Sequence, residues 1–278
     1  MRNSLVLRFA GLAVLAAAGC ASPSKPSDAT TPDATPGSSI DGGGSPSDGS
    51  PDLPGHTPGM PGLGAHSLSF QAYHEMNHPV TVLNSAAMAT QAAGSTMIVG
   101  VGRGQLALFD QPSSIPVDNK GNSPYLQIDK TMKYTDWDSG TALYAFASAR
   151  GGVNHLISAQ TPADDEVTLA AVEVIEGTHI QDYKWNQDSA DPITSLQVTT
   201  TAPATLISFW WGGGFPDTTT QTAEPDSGFV LIDSNTNTLG GFVQCAVAVK
   251  NVTKPGSYSV TWKSTPQQGA QVWLVAVQ

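Results

Sequence analysis

Apolar residues beyond position 66 come in short runs rich in Val, Ile, Thr and aromatic side chains, each closed by Gly, Pro, Asn or Asp. None of these runs repeats with the 3.6-residue period of a helix, and many alternate with a period of two. They fall at 67–73, 79–83, 95–103, 125–128, 141–149, 153–159, 166–176, 195–200, 204–211, 228–233, 241–252, 256–263 and 270–277. Regularly spaced short strands with turn residues between them predict an all-β fold, a jelly-roll-like two-sheet antiparallel sandwich. Two runs, TLAAVEVI at 168–175 and QCAVAV at 244–249, are apolar at both odd and even positions. Strands of that kind need cover on both faces.

The preceding segment cannot join such a core. From Ala21 to Ala65, 18 of the 45 residues are Pro or Gly, and most of the others are Ser, Thr and Asp. Too little apolar surface is present to offset the chain entropy, so this stretch reads as a disordered tether. The first twenty residues have two arginines, a short apolar run from Phe9 to Ala18, and the ending Ala17-Ala18-Gly19-Cys20. Those features are a signal peptide's. The ending resembles the lipobox of bacterial lipoproteins, with Ala17 where that family usually has Leu. The resemblance implies that residues 1–19 are removed, that Cys20 carries the acyl chains of a membrane anchor, and that Ala21 and Ser22 permit sorting to the outer membrane. The expected organisation is then signal peptide 1–19, lipidated cysteine and linker 20–65, and β-sandwich 66–278.

Charge and cysteine usage narrow the function. The formal net charge is −11, which argues against nucleic acid as a partner, since phosphate binding draws on Lys and Arg. The second cysteine, Cys245, lies in an apolar run with no cation nearby, and reads as a small buried side chain.

The most chemically suggestive motif is His74-Glu75-Met76-Asn77-His78, the His-Glu-x-x-His pattern of zinc peptidases. It binds zinc when both histidines share a helical face; on a strand, four residues span about 13 Å and the imidazoles cannot meet at one ion. Pro79 disfavours helix at His78. The alternation of Leu68, Phe70 and Ala72 with polar neighbours leads straight into the motif. No Asp, Glu, His or Cys lies between Pro79 and Phe109 to serve as a third ligand. The reading is an extended segment, with His74 and His78 rejected as metal ligands.

Other candidates are fewer. Asp118-Asn119-Lys120-Gly121-Asn122 offers oxygens to calcium through Asp118, but its single carboxylate reads first as a hairpin turn with Gly121 or Asn122 at positive φ. Glu173, inside an apolar strand, must be paired; Arg103 or Arg150 is the expected partner, and a glycosidase acid with Glu176, Asp164, Asp165 or Glu166 the catalytic alternative. Trp137 sits between two aspartates. Tyr183 and Trp185 share a strand face among polar residues. Trp210 and Trp211 are adjacent, so on a strand they face opposite ways and at most one is expected in the core. Trp137, Tyr183, Trp185 and Trp211 are therefore the candidate ligand-binding residues, because flat rings framed by Asp, Asn and Gln suit sugars. The loop at 118–122 with Tyr125, and the block from Ala170 to Gly177, resemble blocks in uncharacterised β-sandwich domains of secreted bacterial proteins. That resemblance implies a fold and a location without an activity. The expected function is a non-catalytic, lipid-anchored envelope protein that needs no cofactor and binds a glycan or an envelope component. The alternative is a secreted hydrolase, a zinc peptidase or a two-carboxylate glycosidase.

Overall fold

The computed structural model describes residues 57–71, 82–104, 114–134, 138–160, 166–213, 221–236 and 244–278. The first half of the chain supplies β1 (Gly62–Gln71), β2 (Val82–Asn84), β3 (Met88–Gly104), β4 (Val117–Asp118), β5 (Leu126–Lys133), β6 (Ser139–His155), β7 (Ile157–Gln160) and β8 (Val167–Ile175). A five-stranded antiparallel sheet has the order β1-β8-β3-β6-β5, and a smaller sheet has the order β2-β7-β4. The pairing is nested: β1 with β8, β2 with β7, β3 with β6. A long antiparallel ribbon wound over itself produces this nesting, and that is how a jelly roll forms.

The second half repeats the winding. It supplies β9 (Ile180–Asp188), β10 (Ile193–Thr194), β11 (Val198–Thr200), β12 (Ala204–Gly212), β13 (Thr222–Pro225), β14 (Val230–Asn235), β15 (Cys245–Val252), β16 (Gly256–Tyr258), β17 (Thr261–Thr265) and β18 (Ala270–Val277). Its large sheet has the order β14-β15-β12-β18-β9, with β10-β17-β13 and β11-β16 as smaller sheets. Here too the pairs nest, β9 with β18, β10 with β17, β11 with β16, β12 with β15. The fold is thus the all-β antiparallel sandwich that the strand pattern predicts, with the jelly-roll winding made twice.

The repeat extends to register. Thr96 pairs with Val174, and Thr205 with Val277. With those two threonines equated, Ile98 matches Ile207, Val172 matches Val275, and Leu143 matches Val247. One strand further out, His66 on β1 matches Tyr183 on β9, and Leu68 matches Trp185, because their partners on β8 and β18 are equivalent. Ile128 on β5 likewise matches Asp233 on β14.

Three apolar layers build the fold, and one of them joins the two halves. Ile98, Leu143, Val172 and Val174 of the first large sheet meet Phe209, Trp211, Val247 and Trp273 of the second. The reverse face of the first sheet, with Met97, Val99 and Leu169, is covered by Ile157 and Ala159 of β7. The reverse face of the second, with Leu206, Trp210 and Leu274, is covered by Ile193, Val198 and Trp262. Both large sheets are therefore buried on both sides, which is why the runs at 168–175 and 244–249 carry no polar face. It also corrects the expectation for the tryptophan pair: Trp210 and Trp211 are both 0% exposed. Their side chains point opposite ways as a strand requires, but each direction leads into a core.

Glycine shapes the central layer. Gly100 and Gly102 on β3 occupy the positions equivalent to Phe209 and Trp211 on β12. A β-carbon at Gly100 would lie 2.8 Å from the Trp211 ring, and one at Gly102 would overlap the indole nitrogen. The indole nitrogen donates to Thr168 Oγ1 at 2.8 Å, so Gly102 guards that bond as well. Gly102→Ala is expected to lower stability by about 1–3 kcal/mol through overpacking. Gly213→Ala, whose β-carbon would come no closer than 3.7 Å to its neighbours, should leave the urea midpoint nearly unchanged.

Candidate functional site

The two large sheets leave two open edges, and the register equivalence makes them comparable. At one edge β1 faces β14. His66 Nδ1 there lies 2.7 Å from Asp233 Oδ2, tying one sheet to the other. At the other edge β5 faces β9. The residue matching His66 is Tyr183, the one matching Leu68 is Trp185, and the one matching Asp233 is Ile128, so no equivalent tie forms.

The strand at this second edge is also displaced. On β5 the register runs from Ile128 opposite Leu143 to Met132 opposite Thr141, so Asp129, Lys130 and Thr131 bulge against the single residue Ala142. The bulge on β14 lies on the other side of the equivalent residue, before Asp233, and adds just Ile232. Gln127 Nε2 donates to Thr131 Oγ1 at 3.1 Å across the base of the β5 bulge. Asp129, its first residue, has φ of 61°, a left-handed conformation that aspartate tolerates better than most residues.

Between the bulge and β9 runs a groove of two neighbouring hollows of about 470 and 420 Å3. Asp129, Asp182 and Tyr183 line both. Trp185 and Met132 wall one hollow, while Gln127 and Gln181 wall the other. Apolar residues mark the ends, with Leu126 69% and Leu196 52% exposed. Tyr183 and Trp185 are half-buried against the central core. The buried indole nitrogen of Trp185 has no hydrogen-bond partner among the described residues.

The charged groups are unequal. Asp182 Oδ1 accepts from Lys184 Nζ at 2.6 Å and from the Tyr183 amide, and Oδ2 accepts from the Thr199 amide. Burial alone would raise its pKa, but the Lys184 bond and these amides outweigh it and hold the carboxyl below its usual range. Asp129 is exposed and makes no hydrogen bond or ion pair among the described residues.

The remaining sequence candidates fall elsewhere. Trp211 is a correction: it lies in the central core, stacked on Phe209 at 5.4 Å, and no ligand reaches it. Asp118 is a second. Its oxygens accept from the amides of Lys120 and Asn122, from Asn122 Nδ2, from Tyr125 OH and from His155 Nε2. Five donors leave no room for calcium coordination. The loop is the turn the sequence suggested, with Gly121 at φ of 78°. Glu173 is a third, since backbone amides of Ala65 and Gln91 take its oxygens at 3.0 and 2.8 Å in place of an arginine. It faces the bulges of β1 and β3. Cys245 is buried, and burial pushes its thiol well above the ordinary range. Cys20, His74, Glu75, His78 and Trp137 lie outside the described residues. Among those described, no group of three His, Cys, Asp or Glu side chains is placed to hold a metal.

Compared with protein-family models, with curated protein sequences and with solved structures, the chain has no match in any of the three.

Proposed function

We propose that this chain is a lipid-anchored envelope protein whose double jelly roll binds glycan in the groove between β5 and β9 without acting on it. The observation that carries the reading is the contrast between the two edges. They share winding and register, but one is tied shut by His66 and Asp233, while the other replaces the tie with two aromatic rings and a three-residue bulge. Rings at a groove wall cover the apolar faces of sugars, and nearby amides and carboxylates take the hydroxyls. The N-terminal features support the rest: acylation of Cys20 would anchor the chain, and the segment between Cys20 and β1, which begins at Gly62 and so inside the linker expected to run to residue 65, would be a tether holding the sandwich clear of the lipid surface, in the periplasm or outside the cell.

The state of Asp182 does not suit the proton-donating role in glycoside hydrolysis. A glycosidase acid needs a raised pKa to stay protonated, whereas Asp182 is shifted the other way and bound to Lys184.

A glycan array probed with the full chain tests the proposal. Tyr183→Ala and Trp185→Ala should each weaken binding about 10-fold or more, as loss of an aromatic anchor does, while the fold survives because both rings sit at an edge. Unchanged binding in both variants would remove the groove from consideration.

A further inference from the structure

We infer that Asp129 makes this groove selective for glycans that carry free amino groups, over their N-acetylated and acidic counterparts. The inference rests on the groove being the glycan site and adds what it selects.

Three ionised side chains line the groove among the described residues: Asp129, Asp182 and Lys184. His179, also at the wall, is hydrogen-bonded through Nδ1 to Thr178 Oγ1 at 3.0 Å. Lys184 Nζ is spent on Asp182 Oδ1 at 2.6 Å and on the Tyr183 carbonyl at 3.1 Å. Those two charges neutralise each other, so among its described residues the groove offers no free cation to a carboxylated sugar. Asp129 is what remains. It lines both hollows, with an exposed carboxylate and no partner among the described residues. Lys130, its neighbour in the bulge, is not among the lining residues.

The bulge explains why the carboxylate is available. At the position of Asp233, which on β14 turns inward to His66, β5 carries Ile128. The bulge that follows Ile128 sets three residues against one and begins with Asp129, which lines both hollows with its backbone in the left-handed region. An ammonium group on a sugar resting against Tyr183 and Trp185 meets this carboxylate as a charge-assisted hydrogen-bond partner. An N-acetyl group in the same place presents an uncharged amide, and a uronic acid presents a like charge.

The test is titration calorimetry of the full chain with three hexasaccharides, one of glucosamine, one of N-acetylglucosamine and one of galacturonic acid. Each is measured at low salt (about 0.02 M) and at high salt (about 0.5 M), where exposed charges are screened. The glucosamine oligomer should bind about fivefold more tightly than the N-acetylated one at low salt, the most that an exposed ion pair usually gives. High salt should close that gap, and the galacturonate should bind weakest. Asp129→Asn keeps a residue that tolerates left-handed backbone, and it should erase the gap by weakening the glucosamine oligomer alone. Equal binding of the first two oligomers by the unaltered chain, or a gap that Asp129→Asn leaves intact, overturns the selectivity; if Tyr183→Ala still weakens binding, the groove itself stands. Binding that none of the three variants alters overturns both, as does no binding of any oligomer.

Discussion

Replacing Trp211 by alanine should destabilise the fold by about 3–5 kcal/mol, the cost of emptying a large aromatic site in a packed core. The ring fills the space that Gly100 and Gly102 leave on the opposite sheet, stacks on Phe209, and ends its indole nitrogen on Thr168 Oγ1. None of these neighbours can move into the gap without pulling one large sheet toward the other. Trp211→Phe should cost much less, keeping most of the ring volume and losing mainly the bond to the Thr168 hydroxyl, worth about 1–3 kcal/mol when a buried group is left unpaired. Urea unfolding of both variants measures the difference. If Trp211→Ala unfolds at the same urea concentration as the parent chain, the two sheets do not meet through this ring.

Asp118→Ala should be of similar size, about 3 kcal/mol or more, because five donors lose their acceptor together. The carboxylate organises a corner of the first jelly roll. Its turn is held at Asn122, whose Oδ1 accepts from the Arg150 amide, and His155 continues the chain from Nδ1 to Thr90 Oγ1 at 2.9 Å. A carboxylate can only accept, so the imidazole proton sits on Nε2 and the Thr90 hydroxyl serves Nδ1. Tyr125 remains a donor, since burial and then the Asp118 charge push its phenol up. Burial acts to raise the Asp118 pKa, but the bonds from Asn122, Tyr125 and His155 prevail and lower it. A depressed folded-state pKa means stability that is present above the unfolded value of about 3.9 and lost as pH falls through the folded one. The parent chain should therefore lose stability as the pH drops below about 4, and Asp118→Asn, already weaker at neutral pH, should show a flatter acid limb. Parallel acid limbs for the two would mean that Asp118 is ionised alike in the folded and unfolded chain.

How far the sequence speaks depends on whether the information is local. Period-two alternation and turn residues disclose the strands, and the two-sided apolar runs at 168–175 and 244–249 disclose sheets covered on both faces. Taken seriously for β12, the same reasoning places both Trp210 and Trp211 inside, and Trp211 misleads when its strand is assumed to have one wet face. The duplication leaves slight traces: Thr96-Met97-Ile98 echoes Thr205-Leu206-Ile207, and His78-Pro79-Val80-Thr81 echoes Asp191-Pro192-Ile193-Thr194. It emerges through register, which no single segment encodes. Tyr183 and Trp185 are legible as ligand candidates because their spacing puts them on one face. Asp129 is not, since its position depends on a bulge created by pairing with β6. Glu173 shows the same limit, as its partners are amides freed by irregular backbone and not the arginines a charge count suggests.

Hydrogen exchange of the full chain, with and without a mixture of glucosamine and N-acetylglucosamine hexamers, tests the central claim most directly. The two edges of the sandwich serve as experiment and control in one molecule. Slower exchange on addition of sugar should appear in β5 (Leu126–Lys133) and β9 (Ile180–Asp188), while β1 (Gly62–Gln71) and β14 (Val230–Asn235) stay as they were. Protection at the His66–Asp233 edge, or sugar-dependent protection confined to other surfaces, would contradict the groove as the seat of binding.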